Sequence, residues 1–571
     1  MCGIIGEIRF RSDVKAKLDK ESLRFIQSRG PDSKGYFEKE DIFLGHTRLS
    51  IIDVDQRNNQ PFYSRDRNHI LVFNGEVYNF EHLKSRISNV LWRTSGDTEL
   101  VLEYILCFGI KKFCEDAEGM YALALYNQDT NVLSLARDTF GQKPLYYSYN
   151  DYQFRFSSSA EACSLAGGFC EDTIQEILAF GFPVSYNTAF EGVKSIPRST
   201  YAILDRTNLS IHEYKRVCNV SYQNLEEAIN SAVISTSRSD VEIGCFLSGG
   251  VDSSIITAIQ AKRQLTKAFT IGIADDEQSD ELFIAQNIAQ SLGVEHYHLS
   301  IGSKQIIENI HSAIYAFDTP IMDASIIPTY IVSEMASKHV KVVLGGDGAD
   351  ELFLGYNRHR PLFMNTLLLK LMSFSSFVQP EILDRLGWKL GVQKLSDKII
   401  KVKKIAAGKS LSDKYFLSLS QSNILEINKQ AGIQDLRTLE YDYYLQQNIL
   451  RKTDVLTMAH GLESRTPYLD TNFTSWVEKN YSQEYLIANN RKQSLYDLRK
   501  KLLPETKDLD KIKRGFGLPI SDYIRTNKIE DFKDIIYTKT KGVHFEIKMD
   551  SMNPYELWNI YVMKKWLLAK N

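Results

Sequence analysis

Three places in this 571-residue chain carry residue types that can do chemistry: a cysteine directly after the initiator, a glycine- and serine-rich turn at 248–254, and a carboxylate cluster at 347–351. Removal of Met1 leaves Cys2 with a free α-amino group. An α-amine titrates near about 7.7–8.0 and a thiol near about 8.5, so the amine can act as base for its own side chain, directly or through water. By position alone, Cys2 also reads as a small residue that happens to follow Met. Ser248-Gly249-Gly250-Val251-Asp252-Ser253-Ser254 follows an apolar stretch and opens a helical one. Backbone N–H groups exposed by glycine, hydroxyl donors and a helix N-terminus together favour a bound anion. The sequence holds no G-x-x-x-x-G-K-[ST] run, so γ-phosphoryl transfer by a Walker-type site is not expected. Leu344-Gly345-Gly346-Asp347-Gly348-Ala349-Asp350-Glu351 sets three carboxylates among glycines, and on its own also reads as a solvated acidic turn.

The elements around these residues change character along the chain. Up to about Asp205, short apolar runs bounded by Gly, Asn and Asp read as strands: Gly3–Ile8, Ile70–Phe73, Tyr121–Tyr126 and Val132–Ala136. Helical periodicity covers Asp97–Cys107. Residues 206–223 are polar and patternless and are expected to form a linker between a first domain, 1–205, and a second, 224–571. The second domain alternates strand and helix: Val241–Leu247, Ser254–Lys262, Lys267–Ile273, Glu281–Leu292, Glu295–Leu299, Pro328–Lys338 and Val340–Leu344. That rhythm predicts a doubly wound parallel α/β sheet with ligands at the carboxyl ends of its strands, and a mostly helical part follows Tyr356. Lys+Arg and Asp+Glu nearly cancel, for a net charge of −2, so no basic field attracts nucleic acid or an anionic membrane. Neither a secretory signal nor an apolar run of about 18 residues is found. Seven cysteines without a C-x-x-C pair argue against both a disulfide framework and a zinc ribbon, and a cytoplasmic location is expected.

Ordered motifs then accumulate in the first domain. Met1-Cys2-Gly3-Ile4 is followed by Arg29-Gly30-Pro31-Asp32, His46–Asp53, Phe73-Asn74-Gly75-Glu76-Val77-Tyr78-Asn79, Ser95–Glu99, Glu118–Ala122 and Ala136-Arg137-Asp138. Singly, Arg48 reads as a surface ion pair, Asn74-Gly75 as a hairpin turn and Asp97 as a helix N-cap. As a series they resemble the class II glutamine amidotransferase domain, whose fold is the αββα sandwich of the N-terminal nucleophile (Ntn) hydrolases. The resemblance implies Cys2 as the nucleophile and Asn74 with Gly75 as the oxyanion hole. It also implies that Arg48, Leu49, Ser50, Ile51, Ile52, Glu76 and Asp97 surround free glutamine, with Arg48 on its carboxylate and Asp97 on its ammonium.

In the second domain, the turn at 248–254 is similar to the loop of ATP pyrophosphatases, which cleave between α- and β-phosphates. Leu247, Ser248, Gly249, Gly250, Asp252, Ser253, Gly345 and Gly346 are the implied ATP and pyrophosphate contacts, with Ile271 as a backbone contact to adenine. Carboxylates beside a triphosphate repel it unless Mg2+ intervenes, and Asp252 and Asp350 are the candidate ligands. Lys452–Asp470, Arg491–Leu495 and Lys513-Arg514-Gly515-Phe516-Gly517 resemble the asparagine synthetase family, in which Asp347 and Lys492 match positions linked to acyl-adenylate formation. The implied activity is ATP-dependent amidation of a carboxylate by glutamine nitrogen, through an internal ammonia channel lined by apolar residues. The acceptor is L-aspartate or another carboxylate such as a sugar acid, and a homodimer is compatible with the sequence. Val455, Gly345, Gln142 and Thr466-Pro467-Tyr468 depart from the family's Arg, Ser, Ile and Val-Pro-Phe, which leaves the acceptor open. A tRNA-modifying enzyme with the same loop would call for a basic face or a Cys pair, and a catalytically dead relative would have lost reactive groups that are present here.

Overall fold

Alternation along each strand determines the first half of the molecule. In the computed structural model, which describes residues 2–11, 17–165, 167–216, 218, 220–274, 281–356, 358–359, 436–489, 491–505 and 554–570, two six-stranded sheets lie face to face. One has the order β10 (Lys194–Ser195), β8 (Tyr146–Tyr149), β9 (Gln153–Ser157), β1 (Gly3–Arg9), β3 (Ile42–Arg48), β2 (Ser33–Lys39). The other has the order β12 (Asn208–Glu213), β11 (Thr200–Asp205), β7 (Val132–Arg137), β6 (Gly119–Asn127), β5 (His69–Val77), β4 (Phe62–Tyr63). Side chains two apart share a face. Ile4 and Ile8 of β1, Ile42 and Leu44 of β3, and Ile70 and Val72 of β5 all point between the sheets into one core. Leu71 and Phe73 of β5 point outward onto α1 (Asp97–Phe108) and its neighbouring helices. Ile5 and Phe43 point outward onto the helical turns Lys20–Arg29. The result is the αββα sandwich expected of this half.

The alternation also aims the functional residues. Cys2 lies in phase with Ile4 and Ile8, Arg48 with Ile42 and Leu44, and Asn74 with Ile70 and Val72. β1 and β3 run antiparallel with Gly3 opposite Thr47, which brings Cys2 beside Arg48 at one end of the sandwich.

The polar stretch 206–223 does not begin as a linker. Asn208–Glu213 forms β12, paired along its length with β11, and Tyr214 is buried with its hydroxyl 3.1 Å from that of Tyr121. An edge strand buries little of either face, so it carries no apolar alternation for a sequence pattern to reveal.

The second half is a five-stranded parallel sheet with the order β15 (Glu295–Ile301), β14 (Lys267–Ile273), β13 (Ile243–Phe246), β16 (Val342–Leu344), β17 (Glu463–Arg465). Strand order reverses between β13 and β16, which is where doubly wound sheets bind ligands. Helices α2 (Leu225–Thr236) and α3 (Val251–Ala261) cover one face, with Ile243, Cys245, Val342 and Leu344 beneath them. α4 (Glu281–Leu292) packs beside α3. α5 (Ser303–Tyr315) and α6 (Ile326–Ser337) cover the other face, over Phe269, Ile271 and Val343. From Glu440, helical turns lead into α7 (Arg451–Met458), which delivers the chain to β17. Lys513–Gly517 lies outside the described residues.

No solvent layer separates the halves. Leu49, Ile51, Ile52 and Phe140 share a core with α2 and α3, while Tyr146, Ala160, Ile174 and Phe190 share one with α5 and α6. The last described helix, α8 (Pro554–Lys570), spans the seam. Its Trp566 indole donates to the Phe317 carbonyl at 2.8 Å and packs on Phe169 and Phe190 of the first half. Trp558 donates to the Met322 carbonyl at 2.9 Å, and Asn559 to that of Leu178 at 3.2 Å. Trp566→Ala removes a fully buried ring and is expected to cost about 3–5 kcal/mol. A urea midpoint unchanged from that of the unaltered protein would show that α8 does not hold the seam.

Candidate functional site

The first constellation surrounds Cys2. Its backbone N–H donates to Asn74 Oδ1 at 3.0 Å. That leaves Asn74 Nδ2, which is buried and donates to no group among the described residues, as a ready donor for a developing oxyanion. Gly75 is in the body of β5 rather than in a hairpin turn, opposite Tyr121. A Cβ there would come within 2.2 Å of the Met120 carbonyl oxygen, so glycine is needed for that close approach. On the free edge of β5, Phe73 N–H donates to Gln60 Oε1 at 2.6 Å and Val77 N–H to Asp97 Oδ2 at 3.1 Å. Gly75 N–H lies between them on the same edge, because backbone groups two residues apart point the same way. Burial raises the Cys2 thiol, and the Leu49 N–H and Arg48 partly oppose that rise. A neutral resting thiol therefore needs a base to become a nucleophile.

Arg48 is not a surface ion pair. It is buried, and its Nη1 donates to the Asp55 carbonyl and Asn59 Oδ1 at 2.8 Å each. Its Nη2 donates to the carbonyls of Ile52 and Asp53. The guanidinium thus folds the 52–59 loop around itself with both of its terminal nitrogens. Ser50 N–H is held by Asp32 at 2.7 Å, while Leu49, Ile51 and Ile52 sit in the shared core. Asp97 is the first residue inside α1 rather than its N-cap, which is Gly96.

Two buried carboxyls stand here. Burial, aided by the Asp97 charge, drives Glu76 well above its ordinary value, although its Oε2 accepts from Arg465 Nη2 at 3.2 Å. Burial likewise raises Asp97 to about 6, against the pull of Arg238.

The second constellation lies at the reversal of strand order. The loop after β13 is pre-folded by its own hydroxyls: Ser248 Oγ and Ser253 Oγ are 3.1 Å apart, and Ser254 Oγ donates to the Gly250 carbonyl at 2.5 Å. Gly249 has φ +74, a left-handed conformation that turns the chain into α3. Leu247 N–H makes the last contact of this strand with β14, on the Phe269 carbonyl at 2.9 Å. Ile271, two residues on, points its backbone to the same side, past the end of β13. After β16, Gly345 N–H donates to the Arg465 carbonyl at 2.9 Å. A Cβ on Gly346 would lie 3.1 Å from that of Asp252.

Lys492, singled out in the sequence only by the family resemblance, reaches across to this point. Its Nζ is 2.8 Å from Asp252 Oδ2 and also contacts Asp350 Oδ1, and these two charges raise its pKa against burial. An ammonium is thus the cation that bridges the two proposed Mg2+ ligands. Hard carboxylate oxygens so placed fit Mg2+, which takes one or two of them together with substrate phosphates. Among the described residues no set of three or more His, Cys, Asp or Glu could hold a metal by itself. Asp347 is half-buried, its carboxyl is raised by desolvation, and its Oδ2 accepts from Thr453 Oγ1 at 2.6 Å. Burial and the charges of Glu440 and Asp350 raise Glu351 to about 8, and Tyr356 OH donates to it at 2.6 Å.

Between the two constellations lie residues given no role from the sequence. Arg29 Nη1 and Nη2 clasp Asp454 at 2.8 and 3.2 Å, and Lys143 Nζ is 3.7 Å from the same carboxylate. Glu463 accepts from Arg465 Nε at 2.6 Å, and Thr466 Oγ1 donates to Gln142 Oε1 at 2.8 Å. Two departures from the family pattern, Gln142 and Thr466, therefore meet as one buried hydrogen bond. A small cleft of about 60 Å³ opens beside this layer, its lining including Arg29, Tyr146 and Ser159 from the first half and Asp318, Arg451 and Val455 from the second. Its walls are mixed in polarity rather than apolar throughout.

The description "Asparagine synthase" fits residues 224–549, and "Glutamine amidotransferase domain" fits residues 1–215. The glutamine-hydrolyzing asparagine synthetase 1 of Bacillus subtilis is 30% identical over 99% of this chain and 96% of its own length. A putative glutamine-hydrolyzing asparagine synthetase 2 of Methanocaldococcus jannaschii is 30% identical over 69% of this chain and 81% of its own. Asparagine synthetase B of Escherichia coli is 32% identical over 62% and 65%.

The Asp97 carboxyl gives a pH test. A raised pKa means the folded protein holds the proton more tightly than the unfolded chain. That group's stabilisation is therefore complete below about 4 and lost as pH climbs through about 6. Asp97→Asn is expected to flatten the fall in urea midpoint across that window; a slope equal to that of the unaltered protein would contradict the assignment.

Proposed function

The chain belongs to the asparagine synthase family, and from that premise we propose that it converts L-aspartate, L-glutamine, ATP and water into L-asparagine, L-glutamate, AMP and pyrophosphate. The observation that carries this reading is that one chain holds groups suited to both half-reactions: Asn74 Nδ2, without a partner among the described residues, beside Cys2, and Lys492 between Asp252 and Asp350 at the strand reversal.

In the first half-reaction the Cys2 thiol, deprotonated by the α-amine exposed when Met1 is removed, attacks the side-chain carbonyl of glutamine. Asn74 Nδ2 and Gly75 N–H receive the oxyanion, ammonia leaves, and water hydrolyses the thioester to glutamate. Arg48 Nε takes the glutamine carboxylate and Asp97 its ammonium, whose charge draws the Asp97 proton off.

In the second, the loop 248–253 and the α3 N-terminus hold the departing pyrophosphate, and the backbone of Ile271 meets adenine. The acceptor carboxylate attacks the α-phosphorus, forming a mixed anhydride that ammonia then opens. Lys492 offsets the charge that gathers on the α-phosphate, and Asp347, fixed by Thr453, faces the acyl centre. Mg2+ held by Asp252 and Asp350 would neutralise the phosphates.

A second reading keeps the chemistry and changes the acceptor. Aspartate carries a second carboxylate that calls for a cation. Among the described residues beside Asp347, Lys452 Nζ is already held by Asp323 and Ser325 at 2.7 Å each, and Lys492 by Asp252 and Asp350. That arrangement favours an acceptor without an α-carboxylate, such as a sugar acid.

The deciding assay follows AMP with ATP, magnesium and glutamine, with and without aspartate, alongside mass detection of asparagine. Aspartate-dependent AMP with equimolar asparagine is the expected result; glutamate release without it would select the second reading. Cys2→Ala is expected to abolish glutamine use, by at least about a thousandfold, and to leave ammonia-supported amidation in place. Retained glutaminase activity in that variant would remove Cys2 from the mechanism.

A further inference from the structure

One turn of helix touches both centres. Arg29 ends the helical turns Lys20–Arg29, and its Nε donates to the carbonyl oxygen of Cys2 itself at 3.1 Å. The rest of its guanidinium is clasped by Asp454 of α7, and both side chains are over nine-tenths buried. The residue before Asp454, Thr453, holds the Asp347 carboxylate at 2.6 Å, and the one before that, Lys452, holds Asp323 at 2.7 Å. Successive residues of a helix point about 100° apart, so these three side chains leave one rigid turn in different directions. Two of them end at catalytic or near-catalytic groups of the two half-reactions. The turns that lead into α7, Glu440–Leu450, are a π-helix, a rare form that is frequent at functional sites.

We propose that Asp454 is a positioning residue for the glutaminase, supplied by the other domain. It fixes Arg29, Arg29 fixes the backbone of the nucleophile, and the Thr453–Asp347 bond ties that arrangement to the state of the synthetase centre. The inference rests on the two-site reading above. It adds that the Cys2 centre is incomplete without a carboxylate of the second domain. Lys143 is the other cation facing Asp454, at 3.7 Å, and is too far to replace the clasp.

The test compares Asp454→Asn with the full-length parent. Glutamate release from glutamine is measured with and without ATP and acceptor, and ammonia-supported AMP release is measured in parallel. Asn keeps the shape but loses the charge and one of the two acceptor oxygens. The expected result is a fall of about tenfold or more in kcat for glutamine hydrolysis with little change in KM, and loss of any response of hydrolysis to ATP plus acceptor. Ammonia-supported AMP release should stay within about threefold of the parent, which also certifies that the variant is folded. Arg29→Lys, which keeps a cation beside Asp454 but has no Nε–H for the Cys2 carbonyl, should reproduce the kcat loss. A hydrolysis kcat within about twofold of the parent would overturn the proposal. So would an equal loss of both activities, which marks a merely structural pair. If the parent itself gives no acceptor-dependent AMP, it is the two-site reading that fails, and the kcat comparison still judges Asp454.

Discussion

The clasp between Arg29 and Asp454 is the contact through which a charge of the second half reaches the backbone of Cys2. Burying both charges is expensive, and removing one partner of such a pair typically costs about 3–5 kcal/mol because the other charge is left stranded. Apolar residues of similar volume would hold the seam at least as well. What the pair supplies instead is direction. A guanidinium fork accepts one carboxylate orientation, and its remaining donor is spent on the Cys2 carbonyl. Arg465 works the same way from β17, binding Glu463 in its own strand and Glu76 across the boundary. Two arginines, each shared between domains, therefore set the end of the sandwich where Cys2, Asn74 and Asp97 converge.

That charged layer explains why the glutaminase pocket can afford raised carboxyls. Glu76 and Asp97 are buried close enough to repel each other, and the cations that temper them, Arg465 and Arg238, both belong to the second half. At the strand reversal the same logic runs with signs exchanged: Lys492 is held charged between Asp252 and Asp350. Each centre is a small excess of one charge, compensated by groups that a substrate would displace or join.

Much of this was legible in the sequence because its signals are local. A short apolar run put β5 at Ile70–Phe73, and the structure extends it to His69–Val77. The helix expected at Glu281–Leu292 and the strand at Lys267–Ile273 are found with those bounds. Cys2, the Ser248–Ser254 loop and the 347–351 cluster stood out because their residue types are costly to place at strand ends without a purpose. The rest is long-range. Arg29 and Asp454 are 425 positions apart, and neither is unusual in its own neighbourhood. Arg48 spends its terminal donors on backbone carbonyls, a choice invisible to residue identity. β17 has three residues and β12 one half-exposed face, so neither shows a pattern long enough to read. Trp558 and Trp566 gain meaning only once α8 lies across the seam.

Whether one buried layer makes two reactions into one enzyme is a question of where the released nitrogen goes. It is tested most directly by feeding glutamine labelled at its amide nitrogen together with an excess of unlabelled ammonium, and reading the label in the product amide. The product should carry the glutamine label almost undiluted, as nitrogen released at Cys2 would reach the acyl centre without mixing with solvent. A label diluted to the proportion of the ammonium pool would mean that the two centres share a chain but not a reaction.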